Sequence, residues 1–237
     1  MSTPAFNPTP RSISVIIAAY NEAETLEPVL QRTLGVLQQI AREYEVIIVD
    51  DGSHDATRDI ANTLAAESER VRVIHHGQNR GFGAALITGY ANARHNWVAP
   101  LPADGQIPPE ELTRFVPVMA GADMVIGLRP QRPYSSYRKL LHKGMTWLTM
   151  LLFGRHHPPS AGSCMFRREV FQSVRLLSTS GFANTEFPIK VAKQGYRLAT
   201  VPIKTEPRLS GQSKVANART IYTTIWDMIK ARWSLRL

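Results

Sequence analysis

The sequence predicts an α/β protein whose mostly parallel, Rossmann-like sheet is flanked by helices and followed by C-terminal amphipathic helices. Three observations carry that expectation. Continuous apolar runs of strand length recur through the first half of the chain, and stretches with helical apolar spacing separate them. Acidic or glycine-containing loops follow the runs at the points where strands should end. A parallel sheet covered by helices on both faces needs unbroken apolar strands, and these runs supply them.

Residues 13–19 form the first run, β-branched and small. Asn21, with Glu24 three residues on, then has the pattern of a helix N-cap and capping box. Leu26, Leu30, Leu34, Leu37 and Ile40 follow at helical spacing. A second strand at 46–49 ends in Asp50-Asp51-Gly52-Ser53, and Asp55 is placed to cap the next helix, with Ile60 and Leu64 inward. Residues 71–74 predict a third strand, with Asn79-Arg80-Gly81-Phe82-Gly83 leading into a helix through Tyr90. Residues 97–101 predict a fourth, followed by Ala103-Asp104-Gly105-Gln106 and a helix begun by Pro108-Pro109. Residues 124–126 predict a fifth, after which the alternation fades. Right-handed β-α-β units follow from this rhythm, and their ligands bind beyond the carboxyl ends of the strands.

The 237 residues suit one domain with a full core. A net charge of +9 and a pI near 10.0 point to an anionic partner: nucleic acid, a phosphorylated substrate or an acidic membrane surface. The single cysteine, Cys164, excludes an internal disulfide, fits a reducing compartment, and reads as a buried inert thiol. The proline-rich start has no apolar core of the kind a secretory signal carries. No apolar run approaches the ~20 residues that span a bilayer.

Asp50-Asp51-Gly52-Ser53 alone is an ordinary turn. Beside the Tyr20-Asn21-Glu22 and Asp104-Gln106 loops it becomes part of a ligand crevice. Carboxylates near the first two strands can accept hydrogen bonds from a nucleobase and ribose. Asp104 and Gln106 suit a hard divalent cation that itself holds a diphosphate, and arginines complete the countercharge. Gly81-Phe82-Gly83 is no dinucleotide fingerprint, because it follows the third strand and Leu86 stands where the last glycine belongs. His75-His76 and His156-His157 lack helical ligand spacing and read as loop residues.

With these pieces in order, the chain resembles the family-2 glycosyltransferases, and among them the polyprenyl-phosphate mannose or glucose synthases. The resemblance runs from about residue 12 to residue 214. It adds Gly127-Leu128-Arg129, Ser163-Cys164-Met165-Phe166-Arg167-Arg168, Thr185-Glu186, and Arg208 through Gly211-Gln212-Ser213-Lys214 to the loops above. It implies a type-A glycosyltransferase fold and inverting transfer of a hexose from a nucleotide diphosphate sugar. Carried over by motif, Ala18, Tyr20, Glu22, Asp50 and Asp51 hold the nucleotide, Asp104 and Gln106 hold Mg or Mn, and Arg129, Arg208 and Lys214 meet phosphates. The catalytic residues so implied are Asp104, Glu186 and Arg129. One departure stands out: the family has an acid two residues before Asp104, and this chain has Pro102.

The resemblance divides the chain into a flexible lead-in (1–11), a catalytic domain (12–214, nucleotide-sugar half 12–128, acceptor half 129–214) and an amphipathic helix (215–237). It implies a nucleotide-sugar donor, a polyprenyl phosphate acceptor, peripheral contact with an anionic membrane on its cytoplasmic face, no nucleic acid, and room for a homo-oligomer. Two alternatives stay open: a soluble-acceptor enzyme with Glu186 as base, and a non-catalytic nucleotide-sugar binder. Glu186 itself reads equally as a base or as an acid favoured by a helix N-terminus. The stretch 137–153 and the stripe of Ile221, Ile225, Ile229, Trp226 and Trp233 read either as core or dimer packing or as basic helices lying in a membrane interface.

Overall fold

The computed structural model describes residues 12–129, 136–155, 157–209 and 218–235. The expected lead-in, His156 and the motif from Gly211 to Lys214 lie outside them. The five expected strands are β1 (Ser12–Ala19), β2 (Glu43–Asp50), β3 (Val71–His75), β4 (Trp97–Pro102) and β5 (Met124–Leu128). Two more complete the sheet: β6 (Cys164–Arg167) and β7 (Leu198–Pro202). The order is β3-β2-β1-β4-β6-β5-β7, with β6 antiparallel to both neighbours and the other pairs parallel.

Period-two geometry sends alternate side chains of each strand to opposite faces. Ile13, Val15 and Ile17 pack with Val46 and Ile48 beneath α1 (Leu26–Ile40) and α2 (Thr57–Ala66). Ile16, Ile47 and Val49 pack on the other face against α3 (Phe82–Asn92) and Phe166. Tyr90, Phe166 and Phe187 meet edge-on there, with ring centroids 5.0 Å (Tyr90–Phe166) and 4.7 Å (Phe166–Phe187) apart. Pro109–Glu111 forms a 3₁₀ turn that runs into the short α4 (Leu112–Phe115). The second half adds α5 (Ser136–Phe153), α6 (Arg168–Ser173), α7 (Ala183–Lys193) and α8 (Ala218–Ser234).

Asn21 is not a helix cap. It adopts a left-handed φ of 52°, and its Oδ1 accepts the His54 N–H at 2.8 Å, so it ties the β1 exit to the β2 exit. Helix α1 begins after Thr25 instead. Asp55 is not the cap either: Ala56 holds that place at the start of α2, and Asp55, one residue earlier, accepts the Thr57 N–H at 3.0 Å through its Oδ1.

Each of the two amphipathic stretches has a packed side and an exposed side. Met228 and Ala231 of α8 are buried with Phe182, and Met145, Leu148, Leu152 and Phe153 of α5 pack on them. Asp227, also buried, accepts the Thr179 and Ser180 N–H groups at 3.0 and 2.9 Å and fixes α8 to the body. The opposite side is bare: Trp147 and Leu151 of α5 and Tyr222, Trp226 and Trp233 of α8 are exposed. Among the described residues no helix is long and apolar enough to cross a membrane.

Candidate active site

Strand order reverses between β1 and β4, and the crevice at such a switch point is where open α/β sheets bind ligands. Tyr20-Asn21-Glu22 leaves β1 there and Ala103-Asp104-Gly105-Gln106 leaves β4. Backbone bonds stitch the first of these loops to the β2 exit: Asn21 N–H to Ser53 Oγ (3.0 Å) and Glu22 N–H to Thr57 Oγ1 (2.9 Å). Ala18, at the crevice floor, pairs with Val49 on one side and Pro102 on the other. Pro102 thus ends β4 within the sheet, and no carboxylate stands at that position.

Asp104 is the centre of the arrangement. Its Oδ1 accepts the Gln106 N–H at 3.0 Å, and its Oδ2 receives the Arg208 guanidinium at 2.8 Å. The same guanidinium reaches Glu22 Oε1 at 3.6 Å. Arg208 therefore joins the β1 and β4 exit loops through one cation. It sits on residues 203–209, which lie over the β4 exit: Leu209 N–H bonds to the Asp104 carbonyl (3.3 Å) and Glu206 N–H to the Gln106 carbonyl (3.0 Å). Gly105, at φ 69°, leaves space for Leu209; a Cβ there would stand 2.6 Å from its side chain. Arg32 holds the segment from outside, bonding Glu110 at 2.8 Å and Glu206 at 3.4 Å.

Asp50 and Asp51 are buried, and protein donors already surround both. Asp50 accepts the Ser53 N–H at 2.9 Å and meets His75 Nδ1 at 2.9 Å, with Arg58 Nε at 3.4 Å. Burial alone would raise its carboxyl, but the bonds from Ser53, His75 and Arg58 outweigh burial and hold it below the ordinary range. Asp51 meets His76 Nδ1 at 2.6 Å and accepts the Arg80 and Gly81 N–H groups, each at 2.9 Å. His76 is buried and continues to Thr88 Oγ1 at 2.9 Å. Both histidines are thus partners of the aspartates: His75 ends β3, and His76 lies in the loop directly after it. Their signal was in the sequence, since a parallel β2–β3 pair sets His75 beside Asp50 in register.

Arg129 and Glu186 are held by residues of the second half of the chain. Arg129, at the end of β5, donates to the Gly162 carbonyl at 2.7 Å. Glu186, in the first turn of α7, is buried; its carboxylate accepts the Ser178 N–H at 2.8 Å and the Leu177 N–H at 3.1 Å, and pairs with Lys190 at 2.6 Å. Protein donors engage both of its oxygens, which is the bonding of a helix anchor rather than of a base facing a substrate. Cys164 is buried, and burial pushes its thiol up, so it carries no thiolate chemistry.

A divalent cation fits this site by its donor chemistry. Among the described residues no three His, Cys, Asp or Glu side chains gather into a cage. Mg and Mn need none, because one or two carboxylates with substrate phosphates suffice. The Arg208 guanidinium already stands between the Asp104 and Glu22 carboxylates as a cation would.

The profile of glycosyl transferase family 2 matches residues 14–175. The chain belongs to that family. It is a glycosyltransferase, 30% identical to an undecaprenyl-phosphate mannosyltransferase of Micrococcus luteus over 93% of this chain and 96% of the relative. It is 32% identical to a polyprenol monophosphomannose synthase of Mycolicibacterium smegmatis, over 97% of this chain and 89% of that one. An undecaprenyl-phosphate 4-deoxy-4-formamido-L-arabinose transferase of Edwardsiella ictaluri is 29% identical over 92% of this chain, which spans 66% of that relative. In fold, this family-2 chain superposes on glucosyl-3-phosphoglycerate synthase from Mycobacterium tuberculosis in complex with Mn2+, UDP and glucosyl-3-phosphoglycerate. The TM-score is 0.72 at 19% identity, over 94% of this chain and 80% of that one.

Proposed function

We propose that this chain transfers a hexose, with inversion, from a nucleotide diphosphate sugar to a polyprenyl phosphate at the cytoplasmic face of a membrane. The observation that carries the reading is the Glu22–Arg208–Asp104 bridge at the switch-point crevice, where acids and a phosphate-seeking cation meet. The names of the Micrococcus and Mycolicibacterium relatives supply the acceptor class. Tyr20, Glu22 and the Asp50-Asp51 loop take the nucleoside, and Arg129 and Lys214 meet phosphates. Exposed Trp147, Trp226 and Trp233 give the surface that rests on the membrane.

The acceptor phosphate is an anion at neutral pH, so its oxygen attacks the anomeric carbon without a base. The carbon–oxygen bond to the donor diphosphate breaks on the opposite face, and the nucleoside diphosphate leaves. Asp104 and Gln106 would hold a divalent cation, which would supply countercharge to that leaving group. Arg208 adds a second cation beside it, placed before the charge develops. Glu186 takes no part in proton transfer, consistent with its bonds to Leu177, Ser178 and Lys190; this disfavours a hydroxyl acceptor that needs a base.

The test is turnover. Purified protein, Mn2+ or Mg2+ and GDP-mannose or UDP-glucose should yield a lipid-linked sugar when polyprenyl phosphate is added in detergent, and Asp104→Ala should abolish it. Donor consumed only with soluble acceptors would replace the acceptor assignment. Donor bound without any turnover would leave a binding module.

A further inference from the structure

The C-terminal turns of α5, α7 and α8 border a half-open cavity of about 270 Å³ that shares no residue with the crevice. Leu151, Leu152, Phe153 and Leu235 form its apolar wall; Lys193 and Arg232 supply its only charges among the described lining residues. Neither cation makes an ion pair among the described residues, and no acid lines the cavity. Two unneutralised cations beside an apolar wall call for an anion joined to hydrocarbon. Leu151, which lines the cavity, is itself exposed, as are Trp147 (66%) and Trp233 (71%) on the same two helices. Trp147 and Leu151 lie one turn apart on α5, and Trp233 follows Arg232 directly.

We infer that this cavity binds the phosphate headgroup of an anionic phospholipid, whose acyl chains run along the exposed tryptophans. Lys193 and Arg232 take the phosphodiester oxygens, Arg232 through its planar fork. Its volume falls below the ~300 Å³ at which pockets for drug-sized ligands begin, which suits a headgroup better than a nucleotide. Tryptophan rings at the level of the headgroups are the ordinary anchors of an interfacial helix. The inference rests on the membrane-surface part of the proposed function and is independent of the transfer chemistry. It makes attachment selective for anionic lipid at one place, beyond the diffuse attraction of a net charge of +9.

Co-sedimentation with vesicles of phosphatidylcholine alone or with phosphatidylglycerol tests it. The parent protein should prefer the anionic vesicles. Lys193→Glu with Arg232→Glu should weaken that binding at least about thirtyfold, the change expected for two basic contacts at an anionic surface. Arg42→Glu with Arg70→Glu makes the same change of net charge at exposed turns before β2 and β3, and should cost no more than about threefold. Nucleotide binding read by thermal shift should match the parent in both variants, which separates a failure here from a failure of the transferase reading. Equal binding to neutral vesicles, equal losses in the two variants, or full competition by millimolar inorganic phosphate would each overturn the headgroup site. A dimer that the Lys193/Arg232 variant dissolves would overturn it too, by making the cavity a self-interface.

Discussion

Arg208 occupies a position that two ligands of the proposed reaction would contest. Its guanidinium lies 2.8 Å from Oδ2 of Asp104, the residue proposed to bind a divalent cation. Two cations within about 4 Å repel by roughly 1 kcal/mol per unit charge product even in water, and more in a partly closed crevice. Metal binding should therefore push Arg208 off Asp104 and free it for the diphosphate. Arg208→Gln is expected to raise Mn2+ affinity several-fold, measured by calorimetry without donor, while kcat falls about 10²-fold from the loss of a charge-stabilising donor. Unchanged or weaker Mn2+ binding in this variant would remove Arg208 from the metal's path. Glu186 makes the opposite kind of prediction. Breaking its buried pair with Lys190 should cost on the order of 3 kcal/mol of stability. Glu186→Gln should thus unfold at clearly lower denaturant, with kcat of the folded protein within a few-fold of the parent. A hundredfold loss of kcat at unchanged stability would make it a catalytic residue after all.

At the level of elements, helix α3 meets β1 through Gly89, where an added Cβ would overlap Ile16 Cγ2. Alanine gains up to about 1 kcal/mol over glycine in a helix interior. Overpacking a buried β-branched neighbour costs about 1–3 kcal/mol. The second effect wins, so Gly89→Ala should lower the unfolding free energy by about 1 kcal/mol and Tm by a few degrees. A second knot lies at the other end of the sheet. Glu45, buried on β2, accepts Ser14 Oγ at 2.7 Å, the Arg94 N–H at 2.8 Å and Arg72 at 2.6 Å. Burial opposes its charge, but those three bonds outweigh it and lower its carboxyl below the ordinary value. A lowered folded value means stability present in full above the unfolded value near about 4.3 and lost as pH falls through the folded one. Glu45→Gln should flatten the fall of stability between about pH 5 and pH 2, and an unchanged slope would assign acid sensitivity elsewhere. The first five strands were legible in the sequence because apolar residues cluster in each, and helical periods separate the first four. β6 was not, having only three apolar residues between Gly162-Ser163 and Arg167-Arg168, nor β7, whose half-exposed edge carries no clear pattern. Asp104 and Arg208 were legible from chemistry and motif. Their contact was not, because 103 intervening residues separate two loops that only the closed sheet brings together. His75 and His76 were missed for a similar reason: their meaning lies across a strand pair, not along the chain.

Across the whole molecule, two distributions bear on the proposed membrane contact: a net charge of +9 and the one-sided exposure of large apolar side chains on α5 and α8. Charge draws the protein to any anionic surface and is screened over about 8–10 Å at physiological salt. The apolar face acts differently, because burying tryptophan in the interface does not weaken with ionic strength. The core takes the inner sides of these helices through Met145, Leu148, Met228 and Ala231, so packing already explains those residues, while the outer stripe stays exposed. Trp226 carries Lys230 over its ring at 5.7 Å, which pairs an apolar plane with a cation in the manner of an interfacial anchor. Flotation with anionic liposomes should then show two components: one that falls as salt rises, and a remainder that persists at high salt. Trp147→Glu with Trp226→Glu should leave the salt-sensitive part and remove the remainder, at about tenfold or more per tryptophan given the free energy of burying a large side chain. Binding that vanishes entirely at high salt in the parent would show that the tryptophans do not enter the bilayer. Persistence of the remainder in the double variant would assign it to other residues, and the outer face of α5 and α8 would become a surface for protein rather than lipid.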